Sequence, residues 1–206
     1  AYAVAADEGL VILSDTGDSV YGGAPGDSTW LLRELLTQGR EDQEAMVLVP
    51  VVDAAAVEAA FAAGPGSEVT LSLGGKIDDV FSQPVVTTAQ VMSVSAGHEA
   101  DVGERGRVEL GRTVLLQAGP VQIAVMAEAG FAVNHPVLYQ HHGLDVDQAR
   151  AVVLKTASNF QYFDSWRREL IRVDSPGMTQ SDLAAFTWTR VPRPMYPLDP
   201  DVAWEG

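Results

Sequence analysis

The chain has no cysteine among its 206 residues and only four histidines. Without cysteine there are no disulfides, thiolate nucleophiles, Cys-ligated zinc sites or iron–sulfur clusters. His141 and His142 are neighbours, and on a helix neighbouring side chains point about 100° apart, so they cannot easily share one ion. The sequence has no His-Glu-x-x-His and no Asp-x-His pattern. We therefore predict that this chain holds no metal site and no cofactor.

Positive charge is also scarce, with 13 Lys and Arg residues against 28 Asp and Glu and a net charge of −15. An acidic surface repels phosphate, so nucleic acid is not an expected partner. No apolar run approaches the roughly 20 residues that a membrane helix needs, so no membrane is expected either. The opening AYAVAADEG lacks the basic segment of a signal peptide. We expect a cytoplasmic protein and interpret this opening as the tail of a helix that starts upstream.

What the sequence does contain is a strand–helix pattern, supported by an apolar content of 47%. Two short apolar runs, 10–13 and 46–52, predict buried strands, and a helix follows each run. The predicted caps and stops are Asp27 or Ser28 with Gly39 for the first helix, and Asp53 with Gly64 for the second. Strand–helix–strand–helix with short joins predicts a parallel-sheet core.

The middle of the chain changes character, because apolar and polar residues alternate there between glycine-containing turns. This pattern predicts an antiparallel meander with hairpins at Gly111 and at Gly119-Pro120. Its predicted strands lie within 69–73, 85–94, 108–116 and 121–126. We predict a single domain over 1–206 of mixed α/β class, with α+β character in this middle part.

The last third returns to mixed structure. Helices are predicted at 136–144 and 159–168, and strands at 151–154 and 170–173. The tail TRVPRPMYPLDPD holds four prolines in a short span. Because proline favours extended backbone, the tail is predicted to be an extended strap over the domain.

A glycine- and aspartate-rich segment, GGAPGDST, lies between the first strand and its helix, where a phosphate-binding loop would lie. The position that would hold lysine in such a loop is Asp27, and Asp15 and Asp18 lie close by in the sequence. Three carboxylates repel phosphate, so we do not expect a nucleotide site. The segment is either a set of tight turns or part of a ligand cleft, since such clefts form at the carboxyl ends of parallel strands.

Two Gly-Asp-Ser tripeptides, at 17–19 and 26–28, are similar to the nucleophile block of GDS(L) lipases and esterases. A serine nucleophile needs a histidine to accept its proton. The Asp-x-x-His that serves those enzymes is absent here, and so is a Gly-x-Ser-x-Gly elbow. A serine esterase is therefore a weak alternative.

Four segments together resemble the C-terminal domain of MlrC-like (microcystinase C-like) proteins. They are DTGDSVYGGAPGD at 15–27, VLKTASNF at 153–160, VDSPG at 173–177 and RPMYPLD at 193–199. The resemblance spans nearly the whole chain. It implies a zinc-dependent hydrolase of peptides or amides, whose carboxylate and histidine zinc ligands lie in a larger N-terminal domain absent from this chain.

On this interpretation the chain has no catalytic residue of its own, and its Gly/Asp loop faces a cleft shared with that N-terminal domain, its expected partner. Backbone N–H groups of such a loop can hold a carbonyl or carboxylate. The candidate cleft residues are Asp15, Asp18, Ser19, Gly22, Gly23, Gly26, Asp27, Lys155 and Asn159. The alternative is a non-catalytic structural or oligomerisation module, in which the loop only specifies the fold and the partner is a second copy of the chain.

Overall fold

The computed structural model describes residues 9–38, 45–103 and 106–203. The predictions for 1–8 and for Gly39 lie outside these residues. The strands are β1 (Leu10–Asp15), β2 (Met46–Val52), β3 (Glu68–Leu73), β4 (Val85–Ser95), β5 (Glu99–Asp101), β6 (Arg107–Glu109), β7 (Thr113–Ala118), β8 (Val121–Met126), β9 (Ala149–Leu154) and β10 (Arg167–Val173). The helices are α1 (Trp30–Gln38), α2 (Ala54–Ala63) and α3 (Val137–His141). None of the described helices has the length and apolar character needed to span a bilayer.

Eight strands form one mixed sheet in the order β10-β1-β9-β2-β8-β7-β4-β3. The first five of these strands are mutually parallel, which confirms the predicted parallel core. Both faces of this half are covered. Val11 and Leu13 pack with α1 and α2 on one face, whereas Leu10 and Ile12 pack on the other. Burial on both sides explains why these strands read as continuous apolar runs.

The remaining strands are antiparallel, as the meander predicted, and the Gly119-Pro120 hairpin joins β7 to β8. The predicted hairpin at Gly111 is wrong. β6 pairs with β5 in a separate two-stranded sheet, and Gly111, with φ +63°, lies where the chain passes from that sheet to β7. A glycine turn shows where the chain bends but does not show which strands pair.

The two helix caps behave differently. Asp53 caps α2 as predicted, because its Oδ1 accepts the N–H of Ala56 at 3.0 Å. The prediction that Asp27 or Ser28 caps α1 is wrong: the carbonyl of Thr29 accepts the N–H of Arg33 at 2.8 Å, and the Asp27 carboxylate bonds to another loop. A distant loop thus competes successfully for a side chain with a capping signature.

Two predictions in the last third are also wrong. Residues 159–168 form only a 3-10 turn, Gln161–Phe163, before β10 begins, because the fully buried Phe163 ties this connection to the core. The tail folds into turns rather than an extended strap, since Asp199 binds the guanidinium of Arg193 and accepts the N–H of Met195 at 2.7 Å. The helix within 136–144 and the strands at 151–154 and 170–173 are confirmed.

Candidate functional site

The candidate site lies where two adjacent parallel strands send the chain to opposite faces of the sheet. β1 leads to α1, which packs on one face, and β9 leads to Phe163, which packs on the other. A crevice forms at such a switch point, outside the carboxyl ends of the strands, and this is where open α/β sheets bind their ligands. The residues that follow β1 and β9 therefore decide what this crevice can do.

Lys155, directly after β9, fills the crevice with an ammonium group that is 1% exposed. Its Nζ lies 3.2 Å from Asp15 Oδ2 and 3.1 Å from Asp18 Oδ2, and it donates to the carbonyl of Ser28 at 2.7 Å. An ammonium has three N–H donors, and these three acceptors satisfy all of them. The group is thus a closed ion cluster inside the protein.

At this cluster, burial and the neighbouring charges shift the pKa of Lys155 in opposite directions. Burial alone would lower the pKa of Lys155, but the carboxylates of Asp15 and Asp18 outweigh it, so the pKa lies above its ordinary value. For Asp18, burial raises the pKa, and Lys155 only partly offsets the rise. Burial is the largest cause of the raised pKa of Asp18, and the charge of Asp15 adds to it to a smaller extent.

The two carboxylates of the cluster also hold the Gly/Asp loop in place. Asp18 accepts the N–H groups of Gly26 and Ser28, each at 2.8 Å, and so closes the loop upon itself. Asp15 accepts a hydrogen bond from the hydroxyl of Ser175, which belongs to the VDSPG segment. Three of the four sequence segments that resemble the MlrC-like family therefore meet at one buried centre.

Asp27 organises a neighbouring loop, 74–78. Its Oδ2 accepts the backbone N–H of Lys76 at 2.9 Å and the backbone N–H of Ile77 at 2.7 Å. Its backbone carbonyl accepts the N–H of Gly75 at 2.8 Å. Lys76 Nζ reaches Asp53 Oδ2 at 2.6 Å. Asp27 Oδ1 is buried and has no partner among the described residues. Lys76 and Asp53 were not predicted as part of the site, and only the Gly-Gly-Lys sequence at 74–76 could have suggested them.

Close backbone approach explains two further glycines that the sequence left unassigned. A Cβ on Gly17 would lie 2.0 Å from the carbonyl oxygen of Ser175, and one on Gly177 would lie 2.1 Å from the carbonyl oxygen of Gly17. Only glycine allows the two segments to approach so closely. Gly26, at φ +79°, is packed between Val20 and Val52. The Gly/Asp loop is thus built for tight packing along most of its length.

The other predicted cleft residues lie around this centre rather than in it. Gly22 and Gly23 are exposed at the outer turn of the loop, and Ser19 is buried, with its N–H donating to Thr179 Oγ1 at 2.8 Å. Asn159 is half-buried, and its N–H donates to Thr156 Oγ1 at 2.9 Å. The structure therefore brings Asp15, Asp18, Gly26 and Lys155 together, with Asp27 adjacent.

The described residues place no histidine beside the two Gly-Asp-Ser serines and form no metal centre. His135 accepts the N–H of Val137, whereas His141 and His142 bond to hydroxyl groups of β4 and β7, and no described histidine bonds to Ser19 or Ser28. Within 9–38, 45–103 and 106–203, no three His, Asp or Glu side chains are grouped so that they could hold a metal ion. The site pairs the Lys155 ammonium with the carboxylates of Asp15 and Asp18, and its hydrogen bonds fix the Gly/Asp loop and loop 74–78.

Comparison with known proteins gives the family. A family model described as "MlrC C-terminus" matches residues 13–190. "Microcystinase C" from Sphingomonas sp. is 27% identical over 191 residues, which cover 92% of this chain and 36% of that protein. The crystal structure of a protein named "Putative metallopeptidase" from Mesorhizobium sp. BNC1 is 30% identical, with a TM-score of 0.81, over 98% of this chain and 40% of that one. The chain thus spans well under half the length of these two relatives.

Proposed function

Because the chain belongs to the MlrC C-terminal domain family, we propose that it acts as the C-terminal domain of an MlrC-like, zinc-dependent peptidase or amidohydrolase. In this proposal it lines the substrate cleft or docks the domain that carries the zinc, and it has no activity alone. The similarity to "Microcystinase C" and to a protein named "Putative metallopeptidase", both longer than this chain, supports this proposal.

The observation that carries the proposal is that all three N–H donors of the Lys155 ammonium group have acceptors within the chain. A lysine that acts as a base or nucleophile needs a free electron pair and access to substrate. Here all three N–H donors are bound by groups of the same loop region, and the raised pKa keeps the side chain charged. The centre therefore supports a structural role, with reacting groups supplied from outside the chain.

Zinc does not fit the residues described. The carboxylates of Asp15 and Asp18 already bind the Lys155 ammonium group. No cluster among the described residues has the three ligands that a catalytic zinc needs. In this proposal the zinc is held by the part of the longer relatives that the chain does not match.

A surface of exposed aromatic and apolar residues supports the docking part of the proposal. The Trp30 indole N–H donates to the carbonyl of Phe81 at 2.9 Å, the rings of Phe81 and Phe186 lie 5.9 Å apart, and Phe186 lies 5.8 Å from Trp188. Trp30 and Trp188 are both about two-fifths exposed, at 42% and 41%. Contiguous apolar patches of this kind mark interaction sites. We propose that this surface packs against the zinc-carrying domain.

The test compares the isolated chain with a longer protein that contains it. We expect the longer protein to hydrolyse short linear peptides or amides and to lose this activity when zinc is chelated. We expect the isolated chain to show no turnover, with or without added zinc. Zinc-dependent hydrolysis by the isolated chain would show that the proposal is wrong, and fluorophosphonate labelling of Ser19 or Ser28 would favour a serine esterase instead.

A second measurement separates a cleft role from a purely structural one. Asp27→Asn in the longer protein keeps a side chain that can accept the N–H groups of loop 74–78. If turnover falls while the melting temperature is unchanged, the Gly/Asp loop takes part in the cleft. If turnover is unchanged in this variant, the loop only specifies the fold.

A further inference from the structure

A groove of about 370 Å³ lies between α1 and the beginning of β4. It is lined by Arg33, Leu36 and Thr37 of α1, by residues 85–88 of β4, and by the hairpin 118–121 between β7 and β8. We call this cavity the β4 groove. Ligand sites in proteins have volumes of roughly 300–1,000 Å³, so the groove is large enough to hold a ligand. None of its lining residues belongs to the Lys155 centre, and the groove is therefore a separate candidate site.

The β4 groove runs along an unpaired edge of its strand. Successive side chains of a strand point to opposite faces, so a cavity lined by the four consecutive residues 85–88 lies along the edge of β4 and not over one face. One edge of these residues pairs with β3. On the other edge, β7 pairs with β4 only from Gln90 onward. Within the part of the chain that the structure describes, no strand lies beside this edge, which leaves backbone N–H and C=O groups unpaired.

Arg33 supplies the charge of the groove. Its Nη2 donates to the carbonyl of Gln83 at 3.2 Å and to the carbonyl of Pro84 at 3.5 Å, which places the guanidinium beside the beginning of β4. A guanidinium has five N–H donors, and the described residues provide no acceptor for those on Nε and Nη1. None of the residues that line the groove is acidic. The remaining donors of Arg33 suit the two oxygens of a carboxylate.

The other walls of the groove are apolar or carry hydroxyl groups. Leu36, Val85 and Val121 are apolar, and Val86 at the strand edge is 69% exposed. The chain's net charge of −15 opposes an anion at long range. In physiological salt, however, charges are screened over about 8 Å, so a ligand inside the groove mainly meets the guanidinium. The groove therefore favours a ligand with a carboxylate and an otherwise uncharged body.

We propose that the β4 groove binds a short acidic segment of another protein as an added strand beside residues 85–88, with a Glu or Asp side chain of that segment paired with Arg33. Added strands bind through main-chain hydrogen bonds, and side-chain contacts give specificity. Four residues of strand span about 13 Å, so the unpaired edge accommodates a segment of that length. This binding is independent of the proposed hydrolytic function, because it uses neither the Gly/Asp loop nor a metal.

Peptide binding is measured on the 206-residue chain by following the backbone amide NMR resonances of residues 85–88. The probes are N-acetyl-Val-Thr-Val-Glu amide and the same peptide with Gln in place of Glu, since β-branched residues favour strands. We expect saturable shifts at these amides. The Glu peptide should bind about 2- to 5-fold more tightly than the Gln peptide, which corresponds to one exposed ion pair.

Two variants locate the charge that makes this difference. Arg33→Met keeps an unbranched apolar side chain but removes the guanidinium, and we expect the two peptides to bind it equally. The matched control is Arg172→Met, which makes the same change of charge. Arg172 is exposed on β10, at the opposite edge of the sheet from β3 and β4. The control should keep the preference for the Glu peptide, and amide resonances outside the groove show that each variant retains its fold.

A second comparison tests strand addition itself. In an added strand, the N–H groups of consecutive residues point alternately toward the neighbouring strand and away from it. The Thr nitrogen and the second Val nitrogen of the Glu peptide are therefore methylated one at a time. One methylation should weaken binding about 3- to 10-fold, the worth of one hydrogen bond, and the other should leave binding unchanged.

The proposal is overturned by the absence of a saturable shift at residues 85–88, by equal affinity for the Glu and Gln peptides, by a preference that survives Arg33→Met, or by equal effects of the two methylations. Butyrate that shifts the same amides with the same affinity would assign the groove to small carboxylates instead. Shifts that appear when the protein alone is concentrated would assign this edge to a second copy of the chain. No turnover is measured, so each of these results leaves the proposed hydrolytic function standing.

Discussion

Lys155 with its two carboxylates, and Arg193 with Asp199, are ion pairs of similar chemistry in very different surroundings. Both belong to segments that resemble the MlrC-like family. The Lys155 cluster is 3% exposed or less at each of its three side chains, whereas the Arg193 and Asp199 side chains are 49% and 29% exposed. A buried charge has lost its water and depends on its partners, while an exposed charge keeps its water.

The two pairs therefore do different things for the molecule. Asp15, Asp18 and Lys155 join segments that lie 140 residues apart in sequence, so this cluster holds three loops at the edge of the sheet. Arg193 and Asp199 lie six residues apart and close a local turn. Because the Lys155 cluster joins residues that are far apart in sequence, it helps to determine the fold. The Arg193–Asp199 pair joins near neighbours and determines only one surface turn.

The largest effect is expected when the buried ammonium is removed. Lys155→Met leaves Asp15 and Asp18 buried without a counter-charge, and we expect the free energy of unfolding to fall by about 3–5 kcal/mol. Chemical denaturation measures this change. Lys76→Met is the matched control, because Lys76 is 36% exposed and its partner Asp53 keeps two backbone donors. Asp53 itself is buried, so a loss as large in Lys76→Met as in Lys155→Met would contradict the contrast between a fully buried and a partly exposed ammonium group.

A smaller effect distinguishes the two aspartates of the Gly/Asp loop. In Asp18 both carboxylate oxygens have donors, so Asp18→Asn must present an N–H₂ group to a backbone N–H or to Lys155. In Asp27 one oxygen has no partner, so Asp27→Asn can place its amide nitrogen there. We expect a loss of about 2–3 kcal/mol for Asp18→Asn and less than about 1 kcal/mol for Asp27→Asn. Thermal unfolding of both variants measures the difference, and equal losses would contradict it.

The parallel core could be predicted from the sequence, because strands that are buried on both faces read as continuous apolar runs. The position of Asp15 and Asp18 at the end of a strand could be predicted for the same reason. The partner of these carboxylates could not, since nothing local in VLKTASNF shows that Lys155 lies beside residues 140 positions away. The bonds of Asp27 to loop 74–78 were equally hidden, because a capping signature and a tertiary contact use the same carboxylate.

The pKa values of Asp18 and Asp199 should move in opposite directions. Burial raises the pKa of Asp18 above 3.8, whereas hydrogen bonds from Arg193 and the Met195 N–H lower that of Asp199 to about 2. By linkage, stability contributed by Asp199 is present above about pH 4 and is lost as the pH falls through about 2. The contribution of Asp18 has the opposite sign: it is present below 3.8 and is lost as the pH rises through its folded pKa. Carboxyl NMR titrations measure both values, and shifts in the same direction would contradict the argument.

The smallest effect is expected at the exposed pair. Arg193→Ala removes the guanidinium that binds Asp199, but both side chains can return to water, and the N–H of Met195 still donates to the Asp199 carboxylate. We expect a smaller change in melting temperature than for any variant above, and one that shrinks further as salt is added, because exposed charges are screened. Thermal unfolding at low and high ionic strength measures this, with Arg190→Ala as the control for loss of a nearby positive charge. A salt-independent loss comparable to that of Lys155→Met would show that the tail turn is as integral to the fold as the buried centre.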